Sequence, residues 1–220
     1  MDPKASLKVR GGRDRGTEVL DAARALFFER GYRGTTILQI AERAGYSKRS
    51  VYLDYQNKDE LFMSVCVEGG QLLLDQLRDV PADDLDVEIC VDRFLDVYVR
   101  FSEDHREYFR MIFSEASPEV IANCSAELRE RVAMLEHDCL GVLVRWSERA
   151  VAEGHIARVD PWETAGILTG AATGIILLSM GGSQSVFTRQ TRQTLARKAV
   201  STIWRGLAVS PAADEQRSSS

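Results

Sequence analysis

Apolar residues recur every three or four positions along most of this chain, which is the period of an amphipathic α-helix. No segment shows the strict apolar–polar alternation of a half-buried strand, so the pattern predicts an all-α fold. Caps and breakers set the predicted helix ends, for example Gly31 after the first helix and Ser47 before the third. The predicted helices span about residues 15–30, 36–44, 47–54, 58–78, 87–102, 106–113, 118–153, 160–180 and 188–207.

The two ends of the chain differ from this helical pattern. Residues 1–14 are polar, contain Gly11 and Gly12, and are predicted to form a flexible basic arm. Residues 209–220 are small and polar and are predicted to be a disordered tail. Between them, the helices are predicted to divide into a small unit over residues 15–58 and a larger one over residues 59–208.

Charge is distributed unevenly along the chain. Residues 1–58 hold 12 Lys and Arg against 7 Asp and Glu, whereas the remainder holds 16 against 26. A basic end joined to an acidic body indicates that this end meets a polyanion such as nucleic acid. Chance clustering produces the same totals, so the charge alone does not decide the function.

Residue types that enzymes and metal sites need are sparse. The three histidines, His105, His137 and His155, form neither an HExxH motif nor a pair at i, i+4. The sequence also contains no GxSxG, P-loop or GxGxxG pattern. It therefore predicts no enzyme activity, no cofactor and no metal site, with a metal-dependent helical enzyme as a distant alternative.

Cysteine use indicates a cytoplasmic location. Cys66, Cys90, Cys124 and Cys139 are widely spaced and form no CxxC pair, as expected of buried thiols in a reducing compartment. The basic residues near the N-terminus are not followed by an apolar run, so no signal peptide is predicted. The uncharged stretch 164–188 is interrupted by glycines and leaves about 17 residues, at the lower limit for a membrane span. We expect a buried helix there and no membrane partner.

Two short predicted helices between Thr35 and Tyr55 are joined by a turn at Gly45, which is the arrangement of a helix-turn-helix motif. Gly45 permits a backbone conformation that a Cβ would strain. DNA-reading motifs place the N-terminal turn of the second helix in the major groove, where Lys48 and Arg49 can donate to guanine acceptors or phosphates. A three-helix packing unit with solvated basic residues shares this spacing. The predicted DNA contacts are Thr35, Thr36, Ser47, Lys48, Arg49, Ser50, Tyr52, Tyr55 and Lys58.

The segment from about Arg15 to Phe62 carries an ordered set of residues: Ala23, Leu26, Phe27, Gly31, Tyr32, Thr35, Thr36, Ile40, Ala41, Ala44, Gly45, Ser47, Tyr52, Lys58 and Leu61. At these positions the segment resembles the TetR family of repressors. The resemblance implies a helix-turn-helix DNA-binding domain over residues 15–58 and a helical effector-binding and dimerisation domain over residues 59–208. It also implies that the last two long helices form a four-helix bundle with those of a second subunit.

Three positions depart from the family pattern at the end of the second helix of the motif, which we call the reading helix. Leu53 stands where the family usually has His or Tyr, Asp54 where it has an aromatic residue, and Tyr55 where it has Phe. Leu53 cannot donate a hydrogen bond to phosphate, and Asp54 would repel phosphate if it faced the DNA. We therefore expect the phosphate contacts at this helix end to differ from those of the family.

The predicted helix 160–180 is apolar on more than one face and needs cover on several sides. Three glycines at a spacing of four allow close backbone approach along one stripe. Together with the apolar face of the last helix, the stripe predicts a two-fold interface and a homodimer, unless both helices only cover the core of one subunit. The predicted interface residues are Gly166, Gly170, Gly174, Leu195, Val200, Ile203 and Trp204.

Aromatic residues and Met on the helices of the larger unit can line an apolar cavity, although the same spacing is typical of ordinary core. The predicted lining residues are Tyr98, Phe101, Phe109, Met111, Phe113, Cys139, Val142, Trp146 and Ile176. The sequence thus predicts a transcriptional regulator, and by resemblance a repressor, that binds palindromic operator DNA as a homodimer. A small apolar or amphipathic effector is expected to release it. The closer alternative is a helix-turn-helix regulator without an effector.

Overall fold

The computed structural model describes residues 14–80, 86–180 and 189–207, and all regular structure in these ranges is helical. The helices are α1 (Arg15–Arg30), α2 (Ile37–Ala44), α3 (Lys48–Val51), α4 (Lys58–Arg78), α5 (Val87–Asp104), α6 (Arg106–Arg110), α7 (Pro118–Ala122), α8 (Ala126–Ala152), α9 (Pro161–Met180) and α10 (Arg189–Leu207). A π-helical segment, Met111–Glu115, continues directly from α6. The predicted all-α fold is confirmed. The predicted arm, apart from Asp14, and the predicted tail lie outside the described residues.

Local capping chemistry sets several helix ends where the sequence predicted them. Gly31 follows α1 with φ 69°, in the region that favours glycine. Asn57 precedes α4, and its Oδ1 accepts the N–H of Glu60 at 2.8 Å. Asp160 precedes α9, and its Oδ1 accepts the N–H of Trp162 at 2.8 Å. These ends depend on contacts within about one helical turn, so a sequence pattern can reveal them.

The prediction of one long helix from Pro118 to about Glu153 is wrong. α7 ends at Ala122 and α8 begins at Ala126, after the N-cap Ser125, whose Oγ accepts the N–H of Leu128 at 3.4 Å. Cys124 in the break and Leu128 beyond it both remain buried in one core. The apolar spacing therefore continues across the break and conceals it.

Two hydrophobic cores meet along α4. In its first half, Leu61, Phe62 and Val65 pack with buried residues of α1 and α2 in the N-terminal core. In its second half, Leu73 and Leu77 pack with buried residues of α5, α8, α9 and α10 in the body core. The predicted boundary after residue 58 therefore lies at the start of a helix that serves both cores.

α9 packs on α8 and α10 through one face only. Ala165, Leu168 and Ile176 are buried on that face, whereas Ile167 and Leu178 are exposed. By length and composition alone, α9 is the one described helix that could span a membrane, with a mean hydropathy of 1.4. Length and composition alone are weak evidence for a membrane span, and α9 packs on α8 and α10.

Tyr108 of α6 lies directly on the backbone of α4. A Cβ added at Gly69 would overlap the Cδ1 atom of the Tyr108 ring. The same ring packs edge to face with Phe28 of α1, with ring centroids 4.9 Å apart, and the Tyr108 hydroxyl donates to Glu68 at 3.4 Å. This close approach joins α1, α4 and α6 where the two cores meet.

We predict that Gly69→Ala lowers the free energy of unfolding by about 1–3 kcal/mol, because the added methyl group cannot fit without moving the Tyr108 ring. Chemical denaturation followed by circular dichroism measures the change. The matched control is Gly141→Ala in α8, where a Cβ would meet only the end of the Arg145 side chain at 3.7 Å. The control is expected to raise stability by up to about 1 kcal/mol through helix propensity. Equal effects of the two substitutions would contradict the close packing at Gly69.

Candidate nucleic-acid interface and internal cavity

The turn between α2 and α3 depends on Gly45. α2 begins with a reciprocal cap, in which Thr36 Oγ1 accepts the Gln39 N–H at 3.3 Å and Gln39 Oε1 accepts the Thr36 N–H at 2.9 Å. Gly45 ends the helix with φ 74° and ψ 33°, a left-handed conformation that is strained for other residues. The chain therefore turns sharply, and α3 begins at Lys48.

α3 is a single helical turn with an exposed start. Ser47 Oγ accepts the N–H of Ser50 at 3.1 Å and caps the helix. Val51 at the other end is fully buried in the N-terminal core, whereas Ser47, Lys48 and Arg49 are exposed. The arrangement presents two cations on a capped helix N-terminus to solvent.

Exposed apolar side chains accompany these cations. The Tyr52 ring is 46% exposed, and the Lys48 ammonium lies 5.7 Å from its centroid. Leu53 is 69% exposed and Leu38 of α2 is 54% exposed. Apolar groups on a DNA-reading surface can contact thymine methyl groups. Leu38 was not predicted as part of this surface, although it interrupts the buried positions of α2.

Asp54 is paired with Arg15 at the start of α1. The Asp54 carboxylate accepts hydrogen bonds from Arg15 Nε at 2.6 Å and from Arg15 Nη2 at 2.7 Å. The hydrogen bond to Arg15 holds the pKa of Asp54 below its ordinary value, so the carboxylate stays ionised beside its partner. The guanidinium therefore offsets the repulsion of phosphate that Asp54 alone would cause.

Thr35 is structural, which corrects the expectation that its hydroxyl faces DNA. The residue is fully buried. Its Oγ1 donates towards the carbonyl oxygens of Gly31 at 2.9 Å and Leu26 at 3.2 Å, and so ties the loop to the end of α1. The hydroxyl is thus held inside the N-terminal core and cannot reach a phosphate.

Lys58 and Tyr55 also have partners inside the protein. Lys58 Nζ donates to the carbonyl oxygens of Tyr32 at 3.0 Å and Thr35 at 3.1 Å, and it lies 3.9 Å from the Tyr32 ring centroid. Burial lowers the pKa of Lys58 from its ordinary value. The Tyr55 hydroxyl donates to the Gly16 carbonyl at 3.1 Å. These bonds close the loop before α2 and the segment after α3, which corrects the expectation that both side chains are free for DNA.

Two hydrogen bonds join the flanks of the helix-turn-helix to the body, which is the part of the structure formed by the helices after α4. We call this pair of contacts the latch. On one flank, Glu115 of the π segment accepts the Tyr32 N–H at 3.3 Å and pairs with Arg110 at 3.2 Å. On the other flank, Asn57 Nδ2 donates to the Asn123 carbonyl at 2.8 Å. The latch therefore connects residues before α2 and after α3 to the π segment and the end of α7.

A cavity of about 300 Å³ lies among α4, α5, α7, α8, α9 and the π segment. The α4 residues that line it are Met63, Cys66, Val67, Gly70, Leu73 and Leu77. Ile112 and Phe113 of the π segment and Ala116 just beyond it form another part of the wall. The cavity wall and the latch therefore share the π segment.

The predicted cavity residues are only partly correct. Tyr98, Phe113 and Cys139 line the cavity. The other predicted residues are buried but do not line it: Phe101, Phe109, Met111, Val142, Trp146 and Ile176. Periodic aromatic and aliphatic residues indicate burial, but burial does not show where packing leaves a void. The α4 residues that line the cavity were not predicted for the same reason, because their spacing is that of ordinary core residues.

Most polar groups on the cavity wall are neutral. The Tyr98 hydroxyl shares a hydrogen bond with Thr173 Oγ1 at 2.7 Å, and burial raises its pKa above the ordinary range. Burial likewise raises the pKa of the Cys139 thiol to about 12. A thiol with so high a pKa is a poor nucleophile at neutral pH, so the wall is suited to reversible binding.

The N-terminal segment matches a known family. The model of bacterial regulatory proteins of the tetR family covers residues 19–65, which include α2, α3 and the turn at Gly45. Residues 19–65 are therefore a TetR-family segment.

Two relatives of known name match part of the chain. An HTH-type transcriptional repressor of Streptomyces coelicolor is 34% identical over 119 residues, which are 54% of this chain and 56% of the relative. The HTH-type transcriptional repressor KstR2 of Rhodococcus jostii is 34% identical over 86 residues, 39% of this chain and 42% of the relative. The chain thus spans about half the length of these relatives.

Solved structures of the family share the whole fold. A TetR-family bacterial regulatory protein from Rhodococcus RHA1 has a TM-score of 0.69 at 19% identity, over 90% of this chain and all of that chain. At this identity the likeness shows the fold alone. It confirms a TetR-type helix-turn-helix domain joined to a helical body.

Three of the predicted interface residues are uncovered. Gly166, Gly170 and Gly174 on α9 are exposed, and no heavy atom outside their own helix turn lies within 4 Å of a Cβ added there. Their stripe therefore faces open space in the single subunit.

The predicted interface residues of α10 belong largely to the subunit itself. Val200 and Trp204 are only 4% and 6% exposed and pack in the body core, so their prediction as interface residues is wrong. Leu195 and Ile203 are half-buried, and Ile203 packs against the same core. Spacing along α10 marked an apolar face correctly, but it could not distinguish the core of one subunit from a contact between two.

TetR-family members are transcriptional regulators and not enzymes. Within residues 14–80, 86–180 and 189–207, His, Cys, Asp and Glu form no group of three that could hold a metal ion. His137 instead stacks on Trp162, with ring centroids 4.4 Å apart, and so joins α8 to α9.

We predict that Thr35→Val lowers the free energy of unfolding by about 1–2 kcal/mol, because two carbonyl groups lose their buried donor. Thr17→Val on the exposed side of α1 is the control, with an expected change below about 0.5 kcal/mol. Denaturation and DNA binding are measured on the same samples at a temperature where both variants are folded. Weaker DNA binding without loss of stability in Thr35→Val would indicate a phosphate contact and contradict the structural role.

Proposed function

We propose that this TetR-family chain is a ligand-responsive transcriptional repressor that binds palindromic operator DNA as a homodimer. The observation that supports this most directly is the exposed start of α3, where Lys48 and Arg49 stand on a helix anchored by buried Val51. Helix-turn-helix proteins insert such a helix into the major groove with its N-terminal residues towards the bases. The repressor names of the two relatives support the direction of regulation. All four cysteines are thiols that form no disulfide, which fits a cytoplasmic protein.

The proposed contact surface is smaller than the sequence indicated. Lys48 and Arg49 donate to guanine acceptors or to phosphates. Thr36 is exposed at the N-terminus of α2, where the helix dipole favours a phosphate. Thr35, Tyr55 and Lys58 are excluded because their polar atoms are engaged within the protein. The proposed contacts are Thr36, Ser47, Lys48, Arg49, Ser50 and Tyr52.

A homodimer would cover the outer face of α9. Ile167 and Leu178 are 50% and 65% exposed there, and the stripe of Gly166, Gly170 and Gly174 allows two helix backbones to approach closely. Contiguous apolar surface of this kind is uncommon on monomers. Two-fold pairing would also place two reading helices against the two halves of a palindrome.

An effector in the cavity could act on the reading helix through the latch. Phe113 and Ala116 line the cavity on either side of Glu115, whose carboxylate accepts the Tyr32 N–H. The middle of α4 lines the cavity, and residues at the start of α4 pack in the N-terminal core. A small apolar or amphipathic molecule would act if it bound better to a conformation in which α4 and the π segment are displaced. It would then shift the population towards dimers whose two reading helices no longer match the spacing of the operator. Operator DNA would then be released.

We predict that Lys48→Ala and Arg49→Ala each weaken operator binding by about 1–3 kcal/mol, because each removes a base or phosphate contact. Operator fragments are first selected from genomic DNA with the wild-type protein, and affinities are then measured by fluorescence anisotropy at several salt concentrations. A variant that loses a phosphate contact should show a salt slope smaller by about 1.

The matched control for these variants is Arg100→Ala, which removes the same charge from an exposed position of α5. It is expected to leave operator affinity within twofold of the wild type. Equal weakening by Arg100→Ala would mean that the overall charge matters and not the start of α3.

We predict that Gly170→Arg converts a dimer to a folded monomer, because the arginine fits the open space of one subunit but not a close helix pair. Sedimentation velocity at micromolar concentration measures the assembly, and circular dichroism checks that the helix content is retained. Ala126→Arg, at the exposed start of α8, is the control and should remain dimeric. A monomeric wild-type protein would overturn the dimer proposal.

A further inference from the structure

One acidic residue, Glu136, lines the cavity, and no basic residue lines it with Glu136 among the described residues. Of the described residues that line the cavity, Glu136 alone carries a formal charge at neutral pH, and Lys, Arg and His are absent from that set. Glu136 lies on α8 and is exposed, so it stands where the cavity meets solvent. An apolar chamber with a single anionic group at its edge selects ligands by charge as well as by shape.

Glu136 has no ion-pair partner among the described residues. Its neighbour Asp138 is paired instead with Arg78 of α4, at 2.8 Å. Partial burial raises the pKa of Glu136, with no cation close enough to lower it. The negative charge at the cavity edge is therefore uncompensated within the described part of the subunit.

The other polar groups of the wall cannot supply a positive charge. The Tyr98 hydroxyl is bonded to Thr173, and the thiols of Cys66 and Cys139 are kept protonated by burial. Three aromatic rings line the same space, and the Tyr98 ring centroid lies 5.8 Å from that of Phe94 and 5.7 Å from that of Phe113. Aromatic faces attract cations when water is excluded. The Glu136 carboxylate and the aromatic rings thus both favour a positively charged ligand.

We propose that the effector is a lipophilic monovalent cation, an amine or quaternary ammonium group on an apolar body, and that Glu136 determines this specificity. The inference rests on the proposed role of the cavity as the effector site. The apolar body fills the space lined by α4, the π segment and the aromatic rings, while the cationic group lies beside Glu136. A ligand with a carboxylate head group is disfavoured, because two like charges would meet at the cavity edge.

Three probes with the same alkyl chain test the charge preference: octyltrimethylammonium, 1-octanol and octanoate. Isothermal titration calorimetry with the full-length protein measures each dissociation constant below the aggregation limit of the probe. We expect octyltrimethylammonium to bind at least about tenfold more tightly than either of the other two. Equal affinities, tighter binding of octanoate, or no binding of the ammonium probe would overturn the inference.

Glu136→Gln tests the residue itself. The substitution should reduce the affinity for octyltrimethylammonium about tenfold, leave the affinity for 1-octanol within twofold, and raise that for octanoate. Glu130→Gln on the same helix is the control, since it changes the net charge equally and does not line the cavity. A similar loss in Glu130→Gln would assign the preference to the overall charge of −5 and overturn the role of Glu136. Operator binding by the same preparations shows separately whether the proposed repressor function holds.

Discussion

The packing of α4 in both hydrophobic cores constrains the rest of the molecule. Leu61 and Phe62 are fully buried beneath the helix-turn-helix, and Leu73 and Leu77 are buried in the body about three to four turns further on. Protein interiors are close-packed, so α4 cannot move within one core without disturbing the other. The cavity lies along this same helix. Any occupant therefore contacts an element whose far end sets the position of the reading helix.

Most of the helical architecture could be predicted because helix ends depend on local chemistry. Gly31, Gly45 and Asn57 act within a turn of their own position, and the observed ends of α1, α2 and α4 follow from them. The break at Ser125 could not be predicted in this way. Cys124 and Leu128 keep the apolar spacing of an uninterrupted helix, although the backbone between them is not helical throughout.

Side-chain exposure could be predicted where it followed from the motif, but not where a distant partner decided the outcome. Lys48 and Arg49 are exposed as expected at a helix start. Asp54 finds its partner in Arg15, 39 positions earlier, and no local pattern indicates that pair. The cavity depends on where the body helices fail to fill the space between them. For this reason Phe113 and Phe109, four positions apart, have different roles: one lines the void and the other packs in the core.

The shortness of α3 has a genetic consequence. A helix of four residues cannot maintain itself in water, because a first turn fixes several residues for a single hydrogen bond. Its shape is held by the Ser47 cap and by Val51, which is anchored beside buried residues such as Ile40 and Ala41. Mutations that inactivate this protein in a cell should therefore map throughout the N-terminal core. Residues that never contact an operator would be as sensitive to change as those that read it.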